Sequence, residues 1–240
     1  MIDLHCHILP GLDDGAPSLA ISLEMAAIAA DAGVTEIFAT PHCNTRNERK
    51  NYRSNALLDA CGELQAALDA ERIPIRILPG AEVLARGRFE AHLDAGDFMT
   101  LNGSRYLLIE FYFDEEPDYM EHCMRAVESA GLIPVVAHPE RYFCVQRSPE
   151  LAELWAGAGA VLQINKGSLL GELGEAAYIT AAMLLRRGVV SVIASDAHHC
   201  RYRTPALHML PPLLERRFPE VDADLLLRIH PLRIAMDQAL

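Results

Sequence analysis

The 240-residue chain has no CxxC pair, no Pro/Ser-rich linker, no low-complexity stretch and no apolar run of membrane-spanning length. Each absence excludes something. The six cysteines, at 6, 43, 61, 123, 144 and 200, are scattered, which predicts reduced thiols rather than a disulfide framework. The nearest candidate for a span, residues 179–194, is cut by Arg186 and Arg187, so no membrane insertion is expected. No basic region followed by an apolar run opens the chain, which predicts no secretory leader and a cytoplasmic protein. Basic residues are in the minority: 21 Lys and Arg against 33 Asp and Glu leave a net charge of −12. That argues against a broad basic face for nucleic acid. It does not exclude an anionic substrate, because bound cations can be the largest local charges in a site.

What is present is a rhythm. Apolar, β-branched runs at 2–5, 34–40, 75–83, 105–111, 133–138, 160–165 and 189–195 alternate with helical patterns. Several of these patterns end on glycine, as at Gly33, Gly131 and Gly188. Strand starts recur about every 30 residues, the size of one βα unit. The expectation is an α/β chain forming one domain over 1–240, a seven-unit barrel rather than an open sheet. After Thr204 the tail reads as one or two helices with a break at Pro211-Pro212.

Polar residues then fall at strand ends. His5 and His7 close the first run, His42 follows the second, and Glu82 and Glu110 end the third and fourth. His138 ends the fifth, and Asp196 and His198 end the seventh. Active sites of βα barrels lie at the C-terminal ends of the strands. Residues i and i+2 of a strand share a face, so His5 and His7 can reach one metal ion while Cys6 points away. Asp13 and Asp14 sit on the first βα loop, above the same mouth or as plain turn residues before Gly15. Mixed imidazole and carboxylate donors suit Mn, Fe or Zn rather than all-oxygen or thiolate sites. His92, His122, His208 and His230 fall in helical or tail segments and read as surface residues, with His199 at most a neighbour of the site.

The stretches HCH, PGLDDGA, ATPH, PGAEV, HPERY and ASDAH, in this order over residues 1–205, resemble the PHP (polymerase and histidinol phosphatase) superfamily. Within it they are similar to the bacterial manganese-dependent protein-tyrosine phosphatases of capsule and exopolysaccharide operons. The resemblance implies a distorted (β/α)7 barrel and a cytoplasmic hydrolase of phosphotyrosine. It implies three Mn2+ ions, with Fe or Zn as alternatives. His5, His7, Glu82 and Asp196 would hold the first ion. Glu82 would bridge to a second, with Glu110 and His138. Asp14, His42 and His198 would hold the third. Three divalent ions against four carboxylates would leave the mouth positive by about two charges, suited to a phosphate dianion. Arg141 and Arg203 would bind substrate phosphate, which guanidinium does through paired hydrogen bonds. The implied partner is the Tyr-rich tail of a bacterial tyrosine autokinase, with homo-oligomerisation left open. The alternative is a histidinol-phosphatase-like enzyme acting on a small molecule.

A rival pattern lies in the same chain. His42-Cys43 followed by Arg49 spells HCx5R, the signature of cysteine-dependent tyrosine phosphatases. The intervening residues contain no glycine and include Glu48, which suits a phosphate cradle poorly. Aromatic residues beside the ligand motifs, Phe111, Tyr112, Tyr142 and Tyr202, are candidates to flank a phenyl ring.

Overall fold

The computed structural model describes residues 1–45 and 50–240. Among these, β1 (Ile2–Cys6), β2 (Glu36–Ala39) and β4 (Arg76–Pro79) pair in parallel as one sheet. β3 (His42–Cys43), β5 (Glu82–Leu84), β6 (Tyr106–Glu110), β7 (Ile133–Ala137), β8 (Val161–Asn165) and β9 (Val192–Ala194) pair in parallel, in that order, as a second. The two sheets share chain. β2 runs through Thr40-Pro41 into β3, and β4 runs through Gly80-Ala81 into β5. Seven extended segments therefore follow one another in chain order, as expected for a distorted (β/α)7 barrel. A bridge between Cys6 and Ala197 brings the last segment back to the first, with the Asp196 amide donating to the His5 carbonyl at 2.9 Å.

Two strands differ from expectation. The run 75–83 is not one strand but two, because Pro79 cannot extend a ladder and Gly80 is pressed against its neighbours. A Cβ on Gly80 would lie 3.0 Å from Leu101 Cδ2 and 3.2 Å from Thr40 Cγ2. The sequence pattern does not mark the short β3, since two residues carry no periodicity. In the tail, Pro211 and Pro212 do not break a helix. They lie in the first turn of the Leu210–Arg217 helix, where a missing N–H leaves no hydrogen bond unmade.

Alternation divides the core. Ile2 and Leu4 of β1, Tyr106 and Leu108 of β6, and Val135 and Ala137 of β7 belong to an inner cluster closed by Ile234 of the His230–Ala235 helix. Residues of opposite parity, such as Leu107, Val136 and Leu162, pack outward against helical Met25, Met120 and Leu184. The barrel interior is filled below, so only its upper end is left to hold polar groups. All six cysteines are free thiols, and no helix among the described residues is long and apolar enough to cross a membrane.

Candidate metal centre and active site

Parity on the strands aims some of the polar residues directly. Glu110 continues the inward series of Tyr106 and Leu108, and Gln163 and Asn165 continue that of Val161. Others need a departure from regular geometry. Leu4 faces the inner cluster, yet His5 and His7 face the mouth and Cys6 the outer core. The pairing of β1 with β2 shifts register between Asp3 and Cys6, and this irregularity re-aims the two imidazoles. His138 (φ 37°), Asp196 (φ 49°) and Arg203 (φ 46°) all sit in the left-handed region that side chains rarely adopt.

Glu82 occupies the centre. Its Oε2 lies 3.2 Å from His5 Nε2, 3.2 Å from His7 Nε2 and 3.0 Å from His42 Nδ1, while Oε1 lies 3.0 Å from His138 Nε2. Glu110 Oε1 is 3.0 Å from His42 Nδ1. Asp196 Oδ1 is 3.6 Å from His5 Nε2 and 3.4 Å from His7 Nε2. Asp14, more exposed than the rest, lies 3.5 Å from His42 Nε2 and 4.0 Å from His198 Nε2. Ligands bonded to one ion at about 2.1 Å lie within about 4.5 Å of one another. Among the described residues, three groups meet this spacing to within 4.8 Å: His5–His7–Asp196, His42–Glu82–Glu110, and His7–Asp14–His42–His198. His42 Nδ1 is buried between two carboxylates yet aligned in a hydrogen bond to neither. That is how donors gather around a shared cation, so the residues fit a multi-metal site.

The charges agree. Burial alone would lower the pKa of His5, but the Glu82 and Asp196 carboxylates raise it. Burial opposes the charge of His42 too, yet Glu82 carries its pKa up to about 10. Burial would raise Glu82, and the surrounding His5 and His42 instead hold it well below the usual range. Asp196 is held low in the same way by His5 and Arg203 against its burial. His198 differs from His5 and His42: burial, and then the charge of His7, drives it down to about 3. A cluster whose carboxylates remain ionised and draw positive charge onto buried imidazoles favours any cation that enters it.

The arginines converge on the same carboxylate. Arg203 Nη2 lies 2.6 Å and Arg141 Nη1 3.7 Å from Asp196 Oδ2. Each guanidinium has five N–H donors, so most remain for a ligand. Arg141 also stacks 4.4 Å above the half-exposed ring of Phe113. Of the expected rim rings, Tyr202 is 64% exposed, but Phe111 and Tyr142 are buried at 2% and 0% and cannot line a mouth. They pack edge to face under it, with the Tyr142 hydroxyl donating to the Ala137 carbonyl.

Some supporting residues carried no sequence signal beyond turn chemistry. Asp13 is more than a turn residue: its Oδ2 lies 2.6 Å from His7 Nδ1 and accepts from the His42 amide at 2.9 Å. Metal-binding histidines commonly use their second nitrogen this way. His92 and His230 are not free surface residues. His92 lies between Asp97 and Tyr52, and His230 Nδ1 is 2.7 Å from the Ser191 carbonyl. In the HCx5R pattern, Cys43 is fully buried and its thiol is pushed up to about 12 by that burial, while Glu48 and Arg49 lie outside the described residues.

Gly15 closes the loop beneath Asp14. A Cβ there would lie 2.1 Å from the His7 carbonyl oxygen and 2.4 Å from its Cβ. Gly15→Ala should therefore displace His7, lower stability by about 1–3 kcal/mol and cut turnover roughly a hundred-fold. Thermal melting alongside kcat/KM measures both, and wild-type values would show that the loop yields instead.

The model of the family described as "Capsular polysaccharide synthesis, CpsB/CapC" matches residues 1–235. This chain belongs to the CpsB/CapC family. It is 38% identical over 235 residues to the tyrosine-protein phosphatase YwqE of Bacillus subtilis (strain 168), covering 95% of this chain and 92% of that protein. It is 28% identical to the tyrosine-protein phosphatase CpsB of Streptococcus pneumoniae over 99% of both. A crystal structure from a study of YwqE and CpsB, described as unique metal-dependent tyrosine phosphatases, superposes with a TM-score of 0.92 at 35% identity over 100% of this chain and 96% of that one. A Listeria monocytogenes structure at 11% identity and a TM-score of 0.50, over 82% of this chain and 95% of that one, shares the fold alone. The ordered motifs resembled the protein-tyrosine phosphatases of capsule operons, and the matching family and its named tyrosine phosphatases agree with that resemblance.

Proposed function

We propose that this chain is a metal-dependent phosphatase that hydrolyses phosphotyrosine on proteins, in the setting of capsular polysaccharide synthesis. The observation that carries the reading is the convergence of nine His, Asp and Glu side chains and two arginines on one barrel mouth. His5, His7 and Asp196 would hold one ion. Glu82 would be shared with a second held by Glu110 and His138, and Asp14, His42 and His198 would take a third. Manganese is the metal we propose, from the mixed donor set and the family resemblance. Bound divalent ions supply an activated water and neutralise phosphoryl oxygens.

The protein's own residues do the rest. Arg141 and Arg203 bind and orient the phosphate, with Asp196 and the Phe113 ring holding their guanidinium groups in place. Phe113 and Tyr202 stand exposed at the rim, where a phenyl ring projecting from a polypeptide can rest. The proposed substrate is the Tyr-rich tail of a bacterial tyrosine autokinase. A tyrosinate leaving group, with a pKa near 10, departs far more readily than a serine alkoxide, and phosphoserine is too short to reach the mouth from an open rim.

The ordering expected for kcat/KM at equal Mn2+ is phosphotyrosine peptide well above both phosphoserine peptide and histidinol phosphate. A histidinol phosphate value above that for phosphotyrosine would make the chain a small-molecule phosphatase. Arg141→Ala and Arg203→Ala should each lower kcat/KM by roughly 30- to 1000-fold, the cost of about 2–4 kcal/mol for a lost charge-assisted phosphate contact. Metal content should be unchanged in both. Wild-type kinetics in the two variants would show that neither arginine holds the phosphate.

A further inference from the structure

Gln163 and Asn165 stand two residues apart on β8, facing the mouth and buried at 0% and 1%. Their amides join two site residues that belong to one ligand group. His5 Nδ1 lies 2.8 Å from Gln163 Oε1. Gln163 Nε2 donates to Asn165 Oδ1 at 2.9 Å, and Asn165 Nδ2 donates to Asp196 Oδ2 at 2.6 Å.

The direction of this chain follows from its end. An ionised carboxylate only accepts hydrogen bonds, so Asn165 must turn its NH2 to Asp196 and its carbonyl to Gln163. Gln163 must then donate to Asn165 and turn its own carbonyl to His5. His5 in turn must carry its proton on Nδ1. That leaves Nε2 as the nitrogen presented to a cation, on the side where His7 Nε2 lies at 3.1 Å and Asp196 Oδ1 at 3.6 Å. Reversing any one amide would set two acceptors or two donors face to face in a buried site, which is costly. Asp196 is sorted in the same way. Its Oδ2 is engaged by Asn165 and Arg203, so Oδ1 is the oxygen presented beside His5 and His7. The relay has a firm base, because the Asn165 backbone N–H donates to the buried Glu140 Oε1 at 2.9 Å, which also accepts from Ser168 Oγ at 2.6 Å.

We propose that Gln163 and Asn165 act as a single positioning relay, which sets the Nδ1–H tautomer of His5 and the presented oxygen of Asp196 so that both serve the same cation. The inference rests on the metal-centre reading above. Neither amide touches substrate; both act through the two ligands.

The test uses the full chain loaded with Mn2+ and compares Gln163→Met, Asn165→Leu and the double variant, all close in volume to the native residues. Mn2+ retention is measured against increasing chelator, and melting of the chelated protein reports the fold. Outer supports of metal ligands are worth about 10- to 100-fold in metal affinity. Each single variant should lose affinity in that range while melting near wild type. The double variant should lose no more than the worse single, because breaking either link frees the whole chain. Should Asn165→Leu fail to fold, Asn165→Ala gives the same comparison without added bulk. Unaltered Mn2+ retention in both single variants overturns the relay, as do losses that multiply in the double variant, which would make them two separate supports. A wild-type chain that retains no Mn2+ at all would instead remove the metal-centre reading itself.

Discussion

Glu82→Ala is expected to lose more than one ion's worth of bound metal and to reduce turnover by roughly a thousand-fold or more. The two Glu82 oxygens reach four imidazoles, those of His5, His7, His42 and His138, at 3.0–3.2 Å. Among the described residues, no other carboxylate spans the site in this way. Asp196 lies against His5, His7 and His198, and Glu110 against His42 and His138. Alanine would leave four buried or half-buried imidazoles around a space with no central anion, so cations shared between the groups would lose their common ligand. Glu82→Gln keeps the shape and removes the charge, and its metal content separates the two contributions. Asp14→Ala should be milder, since Asp14 is 55% exposed at the outer edge of one group. Metal per chain and kcat, measured on the same preparations, decide the matter. Full metal occupancy in Glu82→Ala would contradict its bridging position.

Chelation should abolish phosphatase activity, and added Mn2+ should restore it, while Cys43→Ser should keep most of it. The two halves of this prediction separate the rival chemistries. A cysteine nucleophile must be a thiolate, and cysteine phosphatases lower their thiol pKa to obtain one. Burial does the opposite for Cys43, pushing it up to about 12, so the thiol stays protonated at neutral pH. Its side chain is fully buried in the outer core, out of reach of a phosphate in the mouth. By contrast, without cations the imidazoles of the cluster are matched by their own carboxylates, which leaves little net attraction for a phosphate dianion, whereas bound divalent ions would supply it. Activity that survives chelation and disappears in Cys43→Ser would reverse the assignment.

Much of the architecture was determined by the sequence itself. Alternating β and helical periods, about seven times, specify a βα ring, because each strand can bury its two faces only between a filled interior and an outer helix. The order of HCH, TPH, GAEV, LLIEF, HPER and SDAH along those strands places their side chains at one end of the ring, since parallel strands all finish on the same side. Where alternation holds, as at Glu110, the sequence alone aims the side chain.

Three things were decided only by the tertiary structure. The shift of register between Asp3 and Cys6 turns His5 and His7 inward although Leu4 already faces in, and a register depends on the partner strand rather than on local pattern. The left-handed backbones of His138 and Asp196 cost energy locally and persist only because the packed ring around them over-determines the turn. The partners of the ligands, Asp13 for His7 and the Gln163–Asn165 pair for His5 and Asp196, lie 6 to 158 residues away in sequence. Strand parity aims Gln163 and Asn165 at the mouth, but no local pattern says which ligand each of these partners meets. Phe111 and Tyr142 make the same point from the other side: both adjoin the motifs in sequence, yet packing sends them beneath the mouth while Phe113 comes to its rim. Adjacency along the chain selects which residues are near the site, but burial and hydrogen bonding between distant strands decide which way each one faces.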